Sequence, residues 1–511
     1  MDDHPLHAVT FAAEAAPFVK VGGLADVAGS LPAALQKLGV RMKLVMPAYS
    51  SIPAERHGIE LLPALSGFEV PMGEQSVRAQ IGRARLPGSA VEVFFVGGAD
   101  YYARAGVYVD PVTGEDYPDN MQRFIFLMKA GLELLRRLGE APDVLHCHDS
   151  HTALIPALLK TTWREDPFFR RTGSMLTIHN LAFQGIFPKD ALAVAGIGLE
   201  HWYPGSPFEY WGKVNFMKAG IETADQLTTV SESYARQIRT DHEYGCGLEG
   251  VLNRRSGDLT GIVNGIDYGE WNPETDPLIP ARYSARDLSG KARCKQELQR
   301  AFGLQPSPGR VPLIGMVSRL TDQKGFDLIG EAGDRLAELD LQMVVLGTGQ
   351  PKYHELLQGL AARLPGKLAV RFGFDNTLAH WIEAGADMFL MPSKFEPCGL
   401  NQLYSLRYGT VPIVRATGGL ADTVVNYDIA GNSGTGFCFA EYKATEMILA
   451  VKRALIVYAD PVSWEELMLR CMAQDWSWER SARKYLQLYE RIRSMKRSAP
   501  GPEGGRTDEI R

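Results

Sequence analysis

Much of what this sequence excludes is visible in what it lacks. No apolar run approaches the roughly 20 residues that cross a bilayer as a helix, so no membrane span is expected. Cysteine is sparse, and Cys147, Cys246, Cys294, Cys398, Cys438 and Cys471 form no CxxC pair. That argues against a disulfide framework or a zinc ribbon and suits a reducing compartment. Charge of one sign is not in excess: 54 basic against 60 acidic residues leave a net charge of -6. Such a balance offers no general field for nucleic acid or anionic lipid, so an anionic ligand must be held by local cations. The N-terminal MDDHPLHAVTFAAEAAP has acids where a secretion signal needs lysines and lacks a continuous apolar core. A cytoplasmic protein with neither nucleic-acid nor membrane partners is therefore expected. A full GxGxxG turn and any repeat of solenoid period are also missing.

What is present is an ordinary globular composition, 45% apolar and 22% charged, in a chain of 511 residues, long enough for two or more domains. HAVTFAAE, RMKLVMP, VEVFFVGG, DVLHCHD, SMLTIHN and QLTTVS read as strands, with a helix from about 118 to 138 among them. VPLIGMVSR, LQMVVLGTG, LAVRFGF, ADMFLMPS and VPIVRA repeat the rhythm, each followed by a loop and helical periodicity such as FDLIGEAGDRLAEL. Alternating strands and helices imply an α/β protein with two doubly wound parallel sheets. Gly, Asn and Pro cluster in GIVNGIDYGEWNPETDP, which marks the seam between two nearly equal halves. Helical segments close the chain, and the Gly-, Pro- and charge-rich APGPEGGRTDEIR is expected to be disordered.

In doubly wound sheets ligands bind beyond the C-terminal ends of strands, and the unusual residues lie in those loops. KVGGLADVAGSLPAAL puts Lys20 ahead of Gly22 and Gly23, where Leu24, Val27, Leu31, Leu35 and Leu38 begin a helical pattern. Its first N-H groups would suit a phosphate or oxyanion, and Pro32 predicts a kink or restart. The core GGLAD recurs at 418–422, again at an expected loop-to-helix junction. HCHDSH could offer His146, His148, Asp149 and His151 to a metal, but the strand pattern sets His146 and His148 on one face and no second ligand cluster follows. Polar residues lining a sugar pocket fit that segment better, so no metal is expected. Arg319 and Lys324 in SRLTDQKG follow an apolar strand and could grip a diphosphate. KFEPCGL sets Glu396 before a glycine and a helix start, able to accept from hydroxyls. TIHN places His179 and Asn180 at another strand end. HWYPGSPFEYWGK concentrates Trp202, Tyr203, Phe208, Tyr210 and Trp211, either to stack on sugars or as a buried cluster under a loop.

Taken together and in order, KVGGLADV, DNMQRF, HCHDSH, TIHNLAFQG, VNGID, SRLTDQKG, KFEPCGLNQL and TGGLADT resemble the bacterial glycogen synthase and plant starch synthase family, a match reaching to about residue 495. The resemblance implies a retaining glycosyltransferase of GT-B architecture, two Rossmann-like domains facing a deep interdomain cleft. It implies an acceptor-side domain over 1–262, a nucleotide-sugar domain over 263–478, a helix over 479–496 crossing back to the first domain, and a disordered tail over 497–511. It carries Lys20, Gly22, Gly23, Asp26 and Tyr102 to the donor, Arg319 and Lys324 to its diphosphate, and Gly373 and Phe374 to the adenine. Glu396, Cys398, Gly399, Leu400 and Asn401 resemble the segment around the glucosyl hydroxyls, with Asp149, His179, Asn180 and Asn264 completing the pocket. Val21, Asn401 and Tyr404 depart from residues often seen in the wider family.

The implied reaction transfers glucose from ADP-glucose to the 4-hydroxyl of an α-1,4-glucan such as glycogen, with no cofactor. Two close carboxylates of the kind a retaining hydrolase needs are not evident. Direct transfer is therefore expected, with Arg319 and Lys324 stabilising the departing phosphate and positive charge developing beside His179. A dehydrogenase would need the missing GxGxxG turn, and a phosphorylase a pyridoxal-phosphate lysine motif and a longer chain. A non-catalytic glucan binder could dispense with Lys20, Arg319 or Glu396, all of which are present.

Overall fold

A computed structural model describes residues 4–98, 100–305 and 310–498. Among them the chain forms two compact units. One contains the chain up to Thr229, Ile238–Thr260 and the chain from Ser481 onward; the other contains Val230–Gln237 and Gly261–Arg480.

The first unit is built on β1 (His7–Phe11), β2 (Arg41–Pro47), β3 (Glu60–Leu61), β4 (Glu69–Met72), β5 (Gln75–Arg85), β6 (Glu92–Gly98), β7 (Val144–His148) and β8 (Gly173–Ile178). A small sheet of β9 (Ile186–Phe187), β10 (Glu209–Tyr210) and β11 (Lys213–Asn215) precedes β12 (Gln226–Thr229) and β13 (Leu259–Gly261). The main sheet runs β13-β12-β8-β7-β1-β2-β6-β5-β3, with β4 added to β5. From β12 to β6 its ladders are parallel. The strands β1, β7 and β8 are buried on both faces, as the interior of a parallel sheet covered by helices must be. The edge beyond β6 is antiparallel, and its alternating burial marks a sheet with one wet face.

The second unit holds β14 (Leu313–Val317), β15 (Gln342–Gly347), β16 (Leu368–Phe372), β17 (Met388–Met391), β18 (Val411–Arg415) and β19 (Phe437–Phe439). They pair in parallel in the order β16-β15-β14-β17-β18-β19. Counted within the unit this is 3-2-1-4-5-6, the Rossmann order, and the parallel part of the first sheet has the same order. Each sheet thus has a point where winding reverses: between β1 and β7 in the first unit, and between β14 and β17 in the second.

Two local expectations are corrected. The helix Gly23–Lys37 runs unbroken through Pro32, because Leu24, Val27, Ala28, Leu31 and Leu35 bury one face and outweigh a single lost hydrogen bond. The stretch FDLIGEAGDRLAEL is two short helices, Phe326–Glu331 and Gly333–Glu338, that meet at Ala332 and Gly333. At the end of the chain, Trp478–Ser498 is one helix, so residues 497 and 498 of the expected tail are helical and the rest of that tail lies outside the described residues. Tyr489 on this helix hydrogen-bonds His146 on β7 at 2.7 Å, within the first unit. No described helix is long and apolar enough to cross a membrane.

Candidate active-site residues

Both switch points carry residues that the sequence singles out, joined in the first unit by Glu14, which it does not. In the first unit, the loop after β1 supplies Glu14 and Lys20, and the end of β7 supplies Asp149. Asp149 has a left-handed backbone (φ 55°) and is buried. Its Oδ1 accepts from the His179 N-H at 2.7 Å, and at 3.5 Å from that of Asn180. Burial pushes its pKa up to about 7, against the pull of those two N-H groups. The Asn180 side chain turns back to accept from the Ala182 N-H. His179 Nε2 lies 2.8 Å from His148 Nδ1, and burial keeps both imidazoles neutral at pH 7. His148 Nε2 and His151 Nδ1 are buried with no hydrogen-bond partner among the described residues. His146 and His148 do share a face, with ring centroids 4.2 Å apart, but among the described residues no group of His, Cys, Asp and Glu is arranged to hold a metal.

The glycine loop differs from the simple anion cradle expected of it. Glu14 Oε2 accepts from the Val21 N-H at 2.5 Å and the Gly22 N-H at 3.1 Å, while Tyr108 donates to Oε1 at 3.1 Å. The N-H of Gly22, a residue expected at the donor, is thus engaged, with that of Val21, by a carboxylate of the same unit. Burial, only partly offset by these hydrogen bonds, pushes the Glu14 pKa up to about 7. Lys20 is exposed and pairs with Asp26 at 2.6 Å. Gly23 opens the helix, whose first N-H groups have no intrahelical acceptor. Tyr102 is a core residue: it is buried, stands edge-on to Tyr49 with centroids 5.6 Å apart, and gives its hydroxyl to the Arg123 carbonyl.

In the second unit the loops after β14 and β17 meet. Lys324 Nζ bonds Glu396 Oε2 at 2.6 Å, and Ser393 donates to the same oxygen at 3.0 Å. Oε1 accepts nothing among the described residues. Arg319, on the same loop as Lys324, is exposed and has no ion pair among the described residues. Cys398 is buried, which pushes its thiol up to about 12, although the Asn264 N-H on its sulfur pulls the other way. Asn264 Oδ1 is buried with no hydrogen-bond partner among the described residues. Gly399 is left-handed (φ 73°), Leu400 caps the helix Asn401–Arg407, and Asn401 Nδ2 ties that helix to the Val317 carbonyl of β14. At the end of β16, the Gly373 N-H binds the Gly347 carbonyl and the Phe374 ring is 84% exposed. Tyr404 stacks on Trp271 at 3.8 Å, and Trp271 stacks on His380 at 3.8 Å.

The two GGLAD copies prove chemically different. The first rests on Glu14. The second has Gly418 and Gly419 buried, with the Gly419 N-H bonding the Glu396 carbonyl at 3.0 Å and the Pro397 carbonyl at 3.1 Å. A Cβ on Gly419 would lie 2.2 Å from the Cys398 carbonyl oxygen, so only glycine permits this approach. Asp422 then accepts from the Ser233 N-H at 2.8 Å and its Oγ at 2.5 Å, fixing residues 230–237 within the second unit. Sequence reasoning missed Glu14, Tyr108, Ser393 and the role of His148. Glu14 carried a usable signal, since it directly follows an apolar strand, where ligand-side loops begin.

Two Rossmann-ordered α/β units, each with ionisable and unpartnered polar groups gathered at its switch point, have the GT-B class of glycosyltransferase fold. Residues 7–254 match the family model for the starch synthase catalytic domain, and residues 300–466 match that for glycosyl transferases group 1. The glycogen synthase of Koribacter versatilis (strain Ellin345) is 45% identical over 97% of this chain and 100% of its own. Glycogen synthase 1 of Geobacter metallireducens is 48% identical over 94% of this chain and 95% of its own. The catalytic domain of starch synthase IV from Arabidopsis thaliana, solved with ADP and acarbose, superposes with a TM-score of 0.89 at 33% identity, covering 96% and 100% of the two chains. The chain belongs to the glycogen synthase and starch synthase family, and it is a glycosyltransferase.

Proposed function

We propose that the enzyme transfers the glucosyl unit of ADP-glucose to the 4-hydroxyl at the non-reducing end of an α-1,4-glucan, with retention of configuration and release of ADP. The observation that carries this reading is the group after β14 and β17: an exposed Arg319, without an ion pair among the described residues, on the same loop as a Lys324 whose ammonium is oriented by Glu396. Two cations so placed stabilise charge as it develops on a departing diphosphate, one by a bidentate fork and one as an oriented point charge. Glu396 Oε1 and Asn264 Oδ1 are acceptors suited to sugar hydroxyls. Asp149 holds the backbone at His179, where oxocarbenium character would develop. The leaving phosphate then takes the proton of the incoming hydroxyl on the same face, preserving the α configuration. The solved relative that holds ADP supports the choice of base. Six free cysteines suit work in a reducing cytoplasm.

Lys324→Ala tests the assigned charge stabilisation. It is expected to lower kcat with ADP-glucose by about two orders of magnitude while leaving half-saturation by glycogen unchanged. Normal turnover in this variant would remove the proposed role.

A further inference from the structure

The aromatic segment 201–213 has no part in the chemistry above, and the structure divides it sharply. Phe208 is buried, whereas Trp211 is 88% exposed at the tip of the β10–β11 hairpin. Tyr210 pairs with Lys213, so Trp211 and Gly212 form a two-residue turn, with φ of 52° and 79°. Two left-handed residues define the turn that asparagine-glycine or aspartate-glycine favours, and a bulky aromatic at its first position is locally unfavourable. The hairpin is nevertheless firmly anchored. The ammonium of buried Lys218 donates to the carbonyls of Ser206 at 2.5 Å and Glu209 at 2.7 Å. The Glu209 side chain in turn accepts from the Gly212 N-H at 2.9 Å. A large ring, 88% exposed, is thus displayed to solvent on a hydrogen-bonded support, in a backbone conformation that bulky residues disfavour.

We propose that Trp211 is a surface anchor for the α-glucan, stacking its indole on a glucose ring of the chain being elongated, outside the residues assigned to the reaction. The polarised C-H groups on one face of a glucose ring complement the negative face of an indole. The contact is small, and a polymer of identical sugars can repeat it, so weak stacking raises the local concentration of acceptor ends. A second protein chain fits the site less well. One indole contributes roughly 200 Å², against about 800 Å² per partner in a stable interface. On its C-terminal side Gly212 and Lys213 add no apolar side chain, and on the other side Tyr210 is half-buried. The inference rests on glucan being the acceptor.

Trp211→Asn isolates the ring, because asparagine suits the left-handed position and preserves the turn. The variant is expected to keep or raise the melting temperature of the parent. Its half-saturating glycogen concentration and its dissociation constant in glycogen co-sedimentation should rise roughly two- to tenfold. The KM for ADP-glucose, and kcat on a saturating four-glucose acceptor, should not change. Trp211→Phe should restore most of the glycogen affinity. Parent-like glycogen affinity in Trp211→Asn would overturn the anchor, as would a change in oligomeric state, measured by light scattering, that accounts for the loss. A parent enzyme that neither sediments with glycogen nor elongates it would instead refute the acceptor reading itself.

Discussion

Glu14 is the residue on which the glycine loop of the first unit turns. As a carboxylate it serves two loop N-H groups and the Tyr108 hydroxyl; protonated on Oε1 it can still accept the loop donors through Oε2 and donate to the tyrosine oxygen. Burial favours that neutral form and raises the pKa from 4.5 to about 7. The folded state therefore binds a proton that the unfolded chain releases between those values. This contribution is complete below pH 4.5 and is lost as pH rises through about 7, amounting to ~3 kcal/mol in the alkaline limit. Glu14→Gln, which mimics the protonated group, should melt close to the parent at pH 5 and clearly above it at pH 8. A difference in melting temperature that stays constant across this range would contradict the account. Asp149, held up by the same burial, leaves both proteins some residual slope.

Among the elements, the short helix Gly418–Thr423 does more than its length implies, because its two glycines seat the segment that carries Glu396 and Cys398. Gly419→Ala forces a Cβ against the Cys398 carbonyl, and the backbone must shift. The variant should lose roughly 1–3 kcal/mol of stability and, because Glu396 moves with that segment, at least tenfold in kcat. Gly359→Ala is the control. It lies exposed within the helix Pro351–Arg363, where an added Cβ meets nothing, so it should gain about 0.5–1 kcal/mol and leave kcat unchanged. Thermal melts and initial rates on the two variants check both signs; equal effects would show that the clash is not the cause.

At the scale of the molecule, the sequence made the parallel strands legible because their buried runs are continuous and apolar: RMKLVMP is β2, and the cores of VPLIGMVSR and LQMVVLGTG are β14 and β15. The antiparallel edge was not legible. β5 alternates charged and apolar residues, and β3, β9 and β10 have only two residues each, too short for any period to emerge. Site residues could be found one at a time because they follow strands, yet their partners could not. Lys324 meets Glu396 across 72 positions, Glu14 meets Tyr108 across 94, and Asp422 meets Ser233 across 189. Nothing in one sequence encodes such pairings except the topology that brings strand ends together, which is why the two GGLAD copies read alike and serve different neighbours.

The central claim is retaining glucosyl transfer from ADP-glucose to an α-1,4-glucan. It is tested most directly by incubating the protein with glycogen and either ADP-glucose or UDP-glucose carrying ¹³C at the anomeric carbon, and following the products by NMR. The account predicts growth of the α-1,4-linked signal from ADP-glucose, matched mole for mole by ADP. Label appearing as β-linked or free glucose, incorporation only from UDP-glucose, or no transfer from either donor would contradict it.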